Sequence, residues 1–223
     1  MTRATTPPAQ PPPNPEERAK ARSTSLEIVV KQRWTRTLVQ AICWSAAMGE
    51  IGVVLALQMP RAPHVRTVLA ELCAEGQPQN IRATPLFFLG VLVTTVGAYI
   101  RWLCYRALGK MFTFEMSIRR DHRLIVDGPY SLVRHPGYTG ILMTVTGIVM
   151  MYASPSSWAR ECAIFSTTVG QIAAMAYLSV VLAITVGLIL RMSKEDAAME
   201  QTFGSTWDNW AKKVPYKLVP WVY

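Results

Sequence analysis

The chain is poor in charge, in acid and in cysteine, and each shortage closes off a class of protein. Only 17% of its 223 residues are charged, against 51% hydrophobic. The 14 acidic residues face 23 Lys and Arg, a net charge of +9 that invites a nucleic-acid reading. The placement of the basic residues argues for another partner, described below. The four cysteines (43, 73, 104 and 162) are scattered, with no CxxC and no metal-ligand spacing. No disulfide framework, zinc site or other metal is therefore expected, and cysteines in or beside apolar runs serve as small hydrophobes. No G-x-G occurs anywhere, so a Rossmann-type cofactor fold has no support. Before Leu38 there is no apolar stretch of the signal-peptide kind. No internal repeat is visible.

What is present is clustered apolar sequence. Leu38–Gln58 carries one charge, Glu50; Pro85–Tyr105 carries one, Arg101; Pro136–Ala159 and Cys162–Leu190 carry none, taking Pro136–Ala153 as the part that spans. About 20 apolar residues cross a bilayer, so each run is long enough. Helices of a soluble bundle would each show a polar face. The sequence therefore predicts an all-α integral membrane protein with about four transmembrane helices. At about 1.5 Å per residue the fourth run reaches roughly 43 Å, longer than the hydrocarbon core, so it must tilt or protrude.

Seven Lys and Arg precede the first run, three lie in 59–84, six in 106–135, one at Arg160, and five from Arg191 onward. Rich and poor segments alternate, as the positive-inside rule expects. Both termini and the 106–135 loop should face the cytosol, where basic residues suit anionic headgroups; the partner is the lipid bilayer, not nucleic acid. Residues 1–25 open with six prolines in fifteen positions and read as a disordered cytosolic tail. Residues 26–84 supply an interfacial segment, the first span and a lumenal loop. Residues 85–223 form the remaining core, with three spans. At its end Phe203, Trp207, Trp210 and Val214 fall on one helical stripe beside Lys212, Lys213 and Lys217. That stripe suits an interfacial helix on the membrane surface or a helix packed back on the bundle; both readings stand.

Two charged constellations flank the last hairpin. In "DGPYSLVRHPGYTG" (127–140) two Gly/Pro turns bracket Arg134 and His135 where the loop enters the third span. Arg191 and Glu195, four apart and so on one helix face, stand where the fourth span leaves the membrane. The hairpin should place a cation, an imidazole, a second cation and a carboxylate around one cytosolic pocket. Taken singly each has a structural reading: interface anchor, turn filler, surface pair. Glu50 is an intramembrane carboxylate, often functional in such a place, and is read here as a polar contact to a neighbouring span or subunit.

"GPYSLVRHPGYTG", followed some fifty residues later by "RMSKED…FGSTWDNWAKKVP", resembles the isoprenylcysteine carboxyl methyltransferase family. Those are integral membrane enzymes that use S-adenosylmethionine to methylate the C-terminal carboxylate of prenylated proteins. The resemblance covers about 85–223. It implies S-adenosylmethionine contacts at Glu115, His122, Arg123, Leu124, Ile125, Tyr130, His135, Pro136, Gly137, Tyr138 and Glu195, and a substrate-carboxylate ligand and catalytic group at Arg191. It also implies prenylated protein C-termini or prenylcysteine as partners and the endoplasmic reticulum as address. Glu115 replaces the amide such a position would carry, and Lys194-Glu195-Asp196 is a thinner acidic patch than the family's longer Glu runs. Phospholipid N-methyltransferases share similar motifs, but their ammonium substrate needs a base and would meet Arg191 as a like charge. "VPYKLVPWVY" is similar to the end of sterol reductases, which are much longer. A non-enzymatic membrane scaffold is the remaining alternative.

Overall fold

A computed structural model describes residues 33–61, 63–73, 76–111 and 123–222. Every regular element among them is helical. Besides short 3-10 turns, the α-helices in chain order are α1 (Arg33–Gln58), α2 (Val65–Leu72), α3 (Pro85–Leu108), α4 (Pro136–Ala153), α5 (Trp158–Glu161), α6 (Thr168–Phe203) and α7 (Ser205–Lys213). Four stretches are long and apolar enough to cross a membrane: Thr37–Gln58, Pro85–Leu108, Pro136–Glu161 and Thr168–Phe203. The expected all-α membrane architecture is thus the observed one.

The helix starts are written in the sequence. Thr84 caps α3 by accepting the Phe87 N–H on Oγ1 at 3.2 Å, with Pro85 in the first helical position. Pro136 opens α4 in the same way. Thr167 caps α6, its Oγ1 taking the Gly170 N–H at 3.0 Å.

Contacts divide the chain into two compact units. One gathers 33–94 with Val145–Leu182. Within it Val53, Cys73, Trp158, Ala159 and Cys162 form one buried cluster, and Cys43, Ile148 and Tyr177 another. Gly90 and Gly147 let α3 and α4 approach until a Cβ on Gly90 would lie 2.7 Å from the Gly147 carbonyl. Cys73 and Cys162 are joined by a disulfide, their Cα atoms 4.6 Å apart, which corrects the expectation of none. The cause is tertiary. Trp158 Nε1 donates to the Leu72 carbonyl at 3.0 Å and the Gln77 N–H to that of Glu161 at 2.9 Å. Those bonds bring together cysteines 89 residues apart, a pairing with no spacing signature. Cys43 and Cys104 are free and buried, as small hydrophobes should be.

The apolar run from Cys162 is not one helix from its start. Cys162 ends α5, Ala163 takes a left-handed φ of 52°, and α6 begins only at Thr168. Glu50 accepts the Trp158 N–H at 3.5 Å, the polar contact expected of it.

The second unit gathers Thr95–Thr144 with the chain from Ala183 onward and holds every described site residue. Trp207, Trp210 and Val214 are buried against Leu124, Tyr130, Met199 and Phe203. Of the two readings left open for this stripe, packing on the protein is the one observed. Val219, Trp221 and Val222 beyond it are exposed.

Candidate active site

The site is built where the chain enters α4 and where α6 runs past it. Gly128, at φ 62°, starts a tight 3-10 turn (Gly128–Ser131) closed by Ser131 Oγ donating to the Gly128 carbonyl at 2.7 Å. The next residues are held from outside the loop. The Arg134 and His135 N–H groups donate to the carbonyls of Tyr216 and Lys217, both at 2.9 Å. Thr139 Oγ1 donates to the Leu218 carbonyl at 2.7 Å, and Arg134 Nη2 to that of Pro215 at 3.0 Å. Residues 215–218 therefore act as a strap, fixing the backbone on which the His135 ring stands.

α6 supplies the opposing charges. Arg191 Nη2 donates to Glu195 Oε1 at 3.1 Å, the i to i+4 pair the spacing predicts. Glu195 Oε2 accepts the Tyr138 hydroxyl at 2.7 Å and stands 3.5 Å from His135 Nδ1. Asp196 Oδ1 lies 2.9 Å from His135 Nε2, and Oδ2 accepts from Arg134 Nη1 at 3.1 Å. The His135 and Tyr138 rings stack at 5.3 Å, nearly parallel. Burial alone would depress the His135 imidazole, but the hydrogen bonds and charges of Asp196 and Glu195 outweigh it and raise the ring above its ordinary value. Burial, then the neighbouring Cys104 and Glu195, push the Tyr130 phenol well above its usual range, so it stays neutral.

The sequence-based residues divide as follows. Glu115 and His122 lie outside the described residues. His135, Pro136, Gly137, Tyr138, Arg191 and Glu195 come together, with Pro136 fully buried. Leu124 and Tyr130 join the aromatic cluster of α7. Ile125 is half-buried, and Arg123 is exposed, its N–H donating to Met111 Sδ at 3.3 Å. Sequence reasoning missed three participants. Asp196 was seen only as part of an acidic patch. The strap had no signal beyond its Pro residues. Arg101, noted as a lone intramembrane charge, donates to the Gly137 carbonyl at 3.2 Å and to the Tyr105 hydroxyl, bracing the first turn of α4.

The ensemble offers carboxylates to a cation and guanidinium donors to an anion. Arg134 Nε is buried with no hydrogen-bond partner among the described residues, and a Cβ on Gly137 would meet nothing within 4 Å. No group of His, Cys, Asp and Glu among those residues is arranged to hold a metal ion. An organic ligand bearing both charges fits such a donor set.

Comparison with known proteins bears on which ligand. Residues 89–169 match the isoprenylcysteine carboxyl methyltransferase (ICMT) family. The resemblance read from the two motifs is to that same family. A probable protein-S-isoprenylcysteine O-methyltransferase of Oryza sativa subsp. indica is 36% identical over 72 residues, covering 31% of this chain and 38% of that protein. Protein-S-isoprenylcysteine O-methyltransferase B of Arabidopsis thaliana is 27% identical over 128 residues, 56% of this chain and 55% of its own. A Delta(14)-sterol reductase of Mus musculus is 28% identical over 101 residues, 45% of this chain and 20% of the reductase. The chain thus spans about half, or less, of the curated ICMT-family relatives it matches.

Proposed function

We propose that this protein is an S-adenosylmethionine-dependent methyltransferase acting on the C-terminal carboxylate of prenylated cysteine, at the cytosolic face of a membrane, in eukaryotes that of the endoplasmic reticulum. The observation that carries the reading is the joining of two separate ICMT-like motifs into one part-buried network, His135 and Tyr138 against Arg191 and Glu195. S-adenosylmethionine is a zwitterion with an added sulfonium, and the donor set suits it. Glu195 and Asp196 accept from cationic groups, while the buried Arg134 Nε and the open first turn of α4 at Gly137 suit a carboxylate or a close backbone approach. When bound, the cofactor supplies an electrophilic methyl group.

The chain's own residues then have a limited task. An α-carboxylate has a pKa of about 3.3–3.7 and is already ionised at neutral pH, so no general base is required. Arg191 would hold that carboxylate with a charge that does not titrate. Alignment and exclusion of water supply most of the acceleration. Tyr138 and His135 fix Glu195 from one side and Arg191 from the other. The prenyl chain reaches the site from the bilayer between spans. The Cys73–Cys162 disulfide supports the orientation, because disulfides persist in oxidising compartments, as a lumenal 59–84 loop requires. The sterol reductase reading has the mouse similarity in its favour, but over a fifth of that protein.

Membranes expressing the protein should transfer radiolabelled methyl from S-adenosylmethionine to a farnesylcysteine analogue as an alkali-labile ester. Label appearing in phosphatidylethanolamine instead would assign the N-methyltransferase reading. No label in either substrate would leave the reductase-like and scaffold readings.

A further inference from the structure

Arg134, Asp196, His135, Glu195 and Arg191 form one row of alternating charge in which each group touches the next. The two carboxylates are consecutive on α6, so their side chains leave the helix about 100° apart and do not share a face. A single imidazole meets both because its ring lies between them, with one nitrogen toward each: 2.9 Å to Asp196 and 3.5 Å to Glu195. Glu195 is shared with Arg191 and Tyr138. Asp196 makes the shorter contact, and its other oxygen is pinned by Arg134, which is itself tied to the strap.

We propose that Asp196 is a positioning residue: it pins the His135 ring through Nε2, so that the ring's other nitrogen holds Glu195 in place for the ligand. This rests on the methyltransferase reading given above. In the charged ring both N–H groups donate, one to each carboxylate. On deprotonation one donor is lost, and two adjacent carboxylates face each other with less compensation. The groups against the ring are Glu195 and Asp196 from α6 and the stacked Tyr138; Arg191 and Arg134 bear on it through those carboxylates, and from the strap Lys217 gives its carbonyl to the His135 N–H. Tyr130, beside Glu195, stays a neutral phenol. An imidazole is the group whose ordinary value places its charge change in the neutral range.

The test is the pH profile of S-adenosylhomocysteine binding to the purified full chain, by calorimetry in detergent, for wild type, Asp196→Asn, Asp196→Glu and Arg134→Gln. Affinity should fall on the alkaline side as His135 loses its proton. Asp196→Asn removes the nearest negative charge and should move that fall about one pH unit or more to lower pH. Asp196→Glu should restore much of the wild-type midpoint. Arg134→Gln removes a positive charge and should move the fall the other way. A uniform loss of affinity with unmoved midpoints would make Asp196 merely structural and overturn the proposal. Should Asp196→Asn fail to fold, Arg134→Gln decides alone: an upward shift supports the proposal, an unmoved midpoint refutes it. If the wild type binds no S-adenosylhomocysteine at any pH, the methyltransferase reading fails and this inference falls with it; binding with unmoved midpoints sinks the inference alone.

Discussion

The two units of this chain share apolar packing but differ in what is added to it: a disulfide in one, an ionic network in the other. In the unit of 33–94 and Val145–Leu182, distant segments are joined by apolar packing and a covalent link, Trp158 and Val53 beside Cys73–Cys162. In the other, an apolar cluster around Trp207 and Trp210 is joined by a network the first lacks: ion pairs and hydrogen bonds between segments some sixty to eighty residues apart, through His135, Asp196, Thr139 and the strap. A bond to a charged group is worth about 1.5–3 kcal/mol when made, and leaving one partner buried and unpaired costs more. Such a network is a poor way to stabilise a fold and a good way to fix polar groups at defined distances. On the proposed reading, the chemistry belongs to the unit that holds the ionic network.

That division can be broken by mutation, and the largest effect should fall on Arg191. Truncating one partner of a buried hydrogen-bonded charge pair costs about 2–5 kcal/mol. Arg191→Ala should therefore lower kcat/KM for carboxyl methylation by at least about a hundredfold. Unchanged methylation would remove the proposed carboxylate ligand. Opening the disulfide with Cys73→Ser should act on the other axis. It should cost about 2–4 kcal/mol of stability, seen as a lower thermal midpoint, while S-adenosylhomocysteine affinity stays within about twofold. A large loss of affinity with intact stability would contradict the placement of the proposed site in the other unit.

How much of this was legible in the sequence follows the same line. Spans are local properties, so the four apolar runs were readable. So was the Arg191–Glu195 pair, because four residues is one helical turn. The start of the fourth span was misplaced, since the run from Cys162 carries no charge to mark a boundary, while the left-handed Ala163 and the Thr167 cap delay α6 to Thr168. Contacts between distant segments left no local trace. The partners of Asp196 lie 61 and 62 residues away, and those of the strap about 80. The Trp207 and Trp210 stripe was visible as a stripe, but nothing local decides between lipid and protein as the surface it covers.

Smaller effects sharpen the picture. Tyr138→Phe removes the 2.7 Å bond to Glu195 and should weaken S-adenosylhomocysteine binding about five- to tenfold with little change in stability. Thr139→Val removes the tie to the Leu218 carbonyl and should cost about 1 kcal/mol of stability. The smallest is a pH effect on stability. The folded His135 value is raised, so its stabilisation is fully present below the unfolded value of about 6.5 and is lost as pH climbs through the folded one. The gap in thermal midpoint between wild type and His135→Asn should narrow toward alkaline pH. A gap that widens there would reverse the sign assigned to the ring.

The most direct measurement is single-turnover methyl transfer by the purified chain, using S-adenosylmethionine with a deuterated methyl group, a farnesylcysteine substrate and mass analysis of the product. The expected result is a deuterated methyl ester on the carboxylate, formed by wild type and reduced at least about a hundredfold in Arg191→Ala. An unmodified carboxylate with wild type, or an ester formed equally well without the Arg191 guanidinium, would contradict the account.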